Sequence, residues 1–127
     1  MPLTLALLCP PATLHAQAKR GDPMVEIQSV GMLTRDQIAG QTLFSDNCAV
    51  CHGTAGVGSL GMGPPLIHRI YEPSHHGDMS FVLAAKRGVR AHHWRFGNMP
   101  PQPQISDQEI ALITAYVRAV QRANGIQ

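Results

Sequence analysis

The 127-residue sequence predicts an all-α fold, with three to four main helices packed around one bound group. Three observations carry that expectation. Thr34 with Gln37, and Ser106 with Glu109, have the spacing of a reciprocal helix cap, in which a hydroxyl and a carboxyl or amide side chain each satisfy a free backbone amide. No run of alternating or β-branched residues reads convincingly as a strand, and no repeat is present. Aromatic residues make up only 5% of the chain, few for a core of this size. Flat apolar bulk from outside the chain would fill that deficit.

Residues 1–18 read as a secretion signal. Leu3 to Leu8 is an apolar run, and Ala16-Gln17-Ala18 has the small-x-small form of a cleavage site. The run is short and has no basic residue before it, which are the marks of a truncated or misassigned start. Cys9 lacks the small residue that precedes a lipidated cysteine. No later run approaches the ~20 apolar residues of a membrane-spanning helix, so an exported protein without a transmembrane segment is expected. Residues 19–33, broken by Gly21, Pro23 and Gly31, read as an extended arm lying over the domain that follows, residues 34–127.

The first helix starts from Thr34 and carries Ile38, Leu43 and Phe44, with Ala39 and Val50, as its apolar stripe. Gly40 lowers helix propensity in mid-helix, and a close approach by another helix is its expected use. Gly53 to Gly63 is too rich in glycine for a helix or strand, and Pro64-Pro65-Leu66 extends the chain after it. No Gly-Lys-Ser/Thr follows this loop and no strand precedes it, which argues against a phosphate cradle. A loop with one short helical turn covers 67–77. Asp78 is the expected N-cap of a helix that turns Phe81, Val82 and Ala85 inward and stops at Gly88, with Lys86 and Arg87 where cations favour the helix dipole. After an irregular stretch with prolines at 100, 101 and 103, Ile110, Ile113, Tyr116, Val117 and Val120 form the stripe of the last helix.

Cys48-Ala49-Val50-Cys51-His52 is the attachment pattern for a c-type haem. Each thiol adds across one vinyl group of the porphyrin, and the adjoining imidazole then sits under the ring, within reach of iron. A thioredoxin-like pair would want a βαβ setting, whereas the flanks here are helix and glycine loop. Structural zinc would need about four ligands, and the only other cysteine is Cys9. The net charge of +2 is too small to suggest a nucleic-acid partner.

With these residues in view, the chain resembles the class I cytochromes c over roughly residues 34–122. Gly40 and Phe44 stand eight and four residues before Cys48, as a glycine and an aromatic do in that family, and Tyr116 matches the aromatic of the crossing C-terminal helix. Gly63-Pro64-Pro65-Leu66 matches the Gly-Pro-x-Leu segment about a dozen residues after the axial histidine. The resemblance implies the cytochrome c fold and one covalent haem c on Cys48 and Cys51, with His52 as one axial ligand and Pro64 accepting its Nδ1 proton. It implies Met99, in Met99-Pro100-Pro101, as the other ligand. Met1, Met24 and Met32 precede the fold or stand at its entrance, Met62 lies on the proximal loop, and Met79 opens a helix.

The segment from Arg90 to Asn98 departs from the family, being longer and more decorated than a plain link. Trp94, Arg90 and Arg95 are candidates to hold a haem propionate, beside Leu66 in the pocket. His75-His76 and His92-His93 pose the question of a second metal, since imidazoles suit zinc or copper. A helix of about nine residues, roughly 14 Å long, separates the pairs unless the loops fold back. A solvated or propionate-facing histidine set is the plainer expectation.

The function implied is periplasmic single-electron transfer, not enzymatic turnover. A dehydrogenase or quinol-oxidising complex would be the donor and an oxidase or reductase the acceptor. The rivals are a haem enzyme or gas sensor with a labile sixth ligand, and a cytochrome subunit of a larger dehydrogenase or oxidase complex.

Overall fold

The structure, a computed structural model, describes residues 17–127, so the export-signal reading of 1–18 lies almost wholly outside the described residues. Among them there are four α-helices: α1 (Arg35–Asn47), α2 (Ala49–His52), α3 (Asp78–Arg87) and α4 (Asp107–Ala123). Short 3-10 turns stand at Thr54–Gly56 and Arg69–Tyr71. No strand forms among the described residues, and the fold is all-α, as expected. Two isolated antiparallel bridges, Ser59 with Gly63 and Val89 with Met99, pin loops.

Both caps form as the spacing requires. Thr34 Oγ1 accepts from the Gln37 amide while Gln37 Oε1 takes the Thr34 amide, and Ser106 with Glu109 repeats the arrangement at α4. Asp78 is not the N-cap of α3. Gly77, with extended backbone, holds that position, and Asp78 is the first helical residue, where its Oδ1 accepts from Arg118 Nε at 2.8 Å.

α1 crosses α4 at Gly40. A Cβ built on Gly40 would run into the Leu112 carbonyl of α4 and stand 3.1 Å from Tyr116 Cβ, so only hydrogen fits there. One turn on, Phe44 and Tyr116 pack as a tilted aromatic pair, centroids 5.8 Å apart. Phe44, Ile110, Ile113, Tyr116, Val117 and Val120 form the centre of the core. The stripe expected on α1 is narrower than its composition suggested: Ile38 is 53% exposed, Ala39 is exposed, and Val50 on α2 is 70% exposed. The face at the crossing is set by Gly40 and Phe44, and Ile38 lies two residues, or about 200°, round the helix from Gly40.

The N-terminal arm lies over the glycine-rich loop. Met24 and Val25 amides donate to Val57 O at 3.2 Å, and Gly21 N to Leu60 O at 2.9 Å. Val25, Ile27, Val30 and Leu33 pack against the core, and Gln28 N donates to Asn124 Oδ1 at 2.6 Å. The arm therefore clasps the domain at the loop and again at the end of α4.

Candidate functional site

The helix crossing and the loop 53–66 leave a cavity of about 470 Å³ open between α2, α3 and the 89–102 segment. Cys48, Cys51 and His52 line it from α2 and its cap, Pro64 and Leu66 from the loop, and Met99 from the far segment. Phe44, Ile110 and Ile113 close its floor.

Each wall has a local cause. His52 ends the single turn of α2 and is 9% exposed. Its Nδ1–H donates to Pro64 O at 2.9 Å. A carbonyl can only accept, so Nδ1 carries the proton and Nε2 keeps its lone pair. Burial pushes the imidazole below its usual pKa, although the Pro64 bond works the other way, and the ring is neutral at pH 7. Cys48 is pushed up to about 11 by burial and then by neighbouring Cys51. A thiol so reluctant to ionise suits neither thiolate exchange nor thiolate-held zinc.

Met99 is placed by backbone. Its amide and carbonyl exchange 2.9 and 3.0 Å bonds with Val89, closing the 89–99 segment into a loop. Gly88 makes that possible: its φ of +72° ends α3, and a Cβ there would strike the Met99 carbonyl and stand 3.1 Å from Pro101 N.

Trp94 also lines the cavity, edge-on to His68 with centroids 5.5 Å apart and stacked on Phe96 at 5.9 Å. Its Nε1–H is buried without a hydrogen-bond partner, the one such side-chain atom among the described residues. A donor left this way costs free energy unless a bound group accepts from it, and a haem carboxylate would do so. Arg90 and Arg95, the other sequence candidates, are exposed and do not line the cavity, whereas Arg87 does. Met62 sits at the rim, its sulfur accepting from Ser59 Oγ at 3.3 Å. A mostly apolar chamber of this size, with two cysteines and a neutral histidine on one wall and an orphan donor on another, fits covalent haem.

One supporting residue was not anticipated. Arg118 is buried in α4, between Val117 and Ala119. It donates to Asp78 Oδ1, Tyr71 O, Gln121 Oε1 and His76 O at 2.5–2.8 Å, and its guanidinium lies 4.9 Å from the Phe81 ring centroid. This tether fixes the 71–78 segment, and with it the rim of the cavity, to α4. An arginine inside an apolar helical stripe was its only sequence signal.

These features together define a helical domain whose cavity, between a histidine wall and a methionine-bearing loop, would take a covalently attached haem. The family described as Cytochrome c is matched over residues 37–121, and the chain belongs to that family. Two relatives are Cbb3-type cytochrome c oxidase subunit CcoP proteins. The Rhodobacter capsulatus subunit is 30% identical over 65% of this chain, and the Cereibacter sphaeroides subunit 34% identical over 64%. This chain spans only 28% and 26% of their respective lengths. Among solved structures, cytochrome CL from the marine methylotrophic bacterium Methylophaga aminisulfidivorans is similar, with 30% identity and a TM-score of 0.50, over 68% of this chain and 55% of that one.

Proposed function

We propose that this protein is an exported, periplasmic single-electron carrier holding one haem c. The observation that carries the reading is that Cys48, Cys51, His52 and Met99 all line one cavity. Cys48 and Cys51 would be the thioether anchors, and His52 Nε2 and Met99 Sδ the two iron ligands. Haem c, when bound, supplies an iron that takes up and gives back one electron. The chain's own residues do the rest. Pro64 O holds the His52 tautomer, and Trp94 Nε1–H is free to hold a propionate. Phe44, Ile110 and Ile113 keep the chamber dry, and a thioether from Met99 favours the reduced state over a second imidazole. With His52 and Met99 both bound to the iron, no place would be left open for a substrate, which supports carriage over turnover. No helix of the described residues is long and apolar enough to cross a membrane.

Redox titration of the purified holoprotein tests this. A reversible one-electron wave is expected, with a potential that falls in Met99→Ala and Met99→His. An irreversible response, or a potential indifferent to Met99, contradicts it. The likeness to oxidase subunits favours a second reading, in which this domain serves as the cytochrome module of a larger assembly. Purification from the native cell tests it: a stoichiometric oxidase complex supports that reading, and a lone small haem protein opposes it.

A further inference from the structure

The two histidine pairs, separated in sequence by α3, meet in space. The loop beyond Gly88 folds back along α3, so that the ring of His93 lies 5.5 Å from His75, 5.3 Å from His76 and 4.2 Å from His92, centroid to centroid. The length of α3 would keep the pairs apart only if the loops did not fold back, and here they do.

One coordinating nitrogen from each of His75, His76 and His93 lies within 4.8 Å of the other two. His76 is prepared for the role, because its Nδ1–H donates to Ile70 O at 2.5 Å and leaves the Nε2 lone pair free. A histidine oriented by a backbone carbonyl is the usual outer support of a metal ligand. His76 is further fixed by Arg118, which takes its backbone carbonyl. His92 donates its Nδ1–H to Arg90 O at 2.9 Å and stands outside the set of three.

We propose that His75, His76 and His93 form a binding site for one divalent cation of the zinc or copper class, at the rim of the haem cavity. Three imidazoles with a fourth position open to water form an accepted coordination set for zinc, and imidazole nitrogens suit both metals. Occupation would staple the 71–78 segment to the loop that carries Met99.

The test uses the haem-loaded, tag-free protein, in which thioether formation has removed Cys48 and Cys51 as competing ligands. After chelator treatment it is titrated with zinc chloride by calorimetry near pH 7.5. One equivalent is expected to bind and to raise the melting temperature. His76→Gln and His93→Gln should each weaken binding by about tenfold or more, while His92→Gln binds nearly as well as the wild type. An unchanged visible spectrum in each variant shows that the haem pocket is intact. Absence of stoichiometric binding, full binding by the His75→Gln/His93→Gln double variant, or equal losses at His92 and His93 would each overturn the assignment.

Discussion

Replacing Gly40 by alanine adds one methyl group at the α1–α4 crossing, where it would collide with the Leu112 carbonyl and crowd Tyr116 Cβ. The obstacle is backbone, which cannot rotate aside, so the helices must separate and loosen the Phe44–Tyr116 pair next to the crossing. Overpacking costs ~1–3 kcal/mol, and a rigid obstacle puts this site at the upper end. Alanine recovers ~1 kcal/mol of helix propensity. The net is a loss of about 2 kcal/mol, and Gly40→Leu should lose more. At roughly 4–8 °C per kcal/mol for a domain of this size, Gly40→Ala should melt about 10 °C lower. Thermal unfolding of the ferric holoprotein followed by far-ultraviolet circular dichroism measures this. An alanine variant that melts at or above the wild-type temperature would refute the tight crossing, because propensity alone would then account for the site.

Other expectations follow from the same structure. Arg118→Met removes charge-assisted bonds to Asp78 and to the carbonyls of Tyr71 and His76, and should destabilise by about 2–4 kcal/mol in chemical denaturation. Cys48→Ala with Cys51→Ala should leave haem extractable by acid–acetone and the chain largely unfolded. Trp94→Phe keeps the ring stacking on Phe96 but removes the orphan Nε1–H, and should shift the midpoint potential while leaving covalent haem in place.

What the sequence made legible was local chemistry or a spacing with a mechanism behind it. The caps at Thr34 and Ser106 are decided within four residues, and Gly40 with Phe44 lies on one face of a single helix. The Pro64 carbonyl was reached through family spacing alone, and the 2.9 Å bond from His52 places it in the structure. The misses come from contacts that only tertiary closure creates. Asp78 was read as a cap because its partner, Arg118, stands forty residues away. Arg90 and Arg95 share a loop with Trp94, yet only Trp94 faces the cavity, because the Val89–Met99 bridge sets which side of the loop turns inward. That same closure brings His93 back to His75 and His76, which no periodicity along the chain encodes.

Met99 is expected to close the sixth position of a haem held by Cys48, Cys51 and His52. Carbon monoxide binding to the dithionite-reduced holoprotein tests it most directly, with wild type and Met99→Ala compared side by side. Slow or negligible uptake is expected of the wild type and rapid, complete uptake of Met99→Ala, with haem remaining covalent in both. Rapid uptake by the wild type, unchanged in Met99→Ala, would contradict it and favour a haem enzyme or gas sensor over an electron carrier.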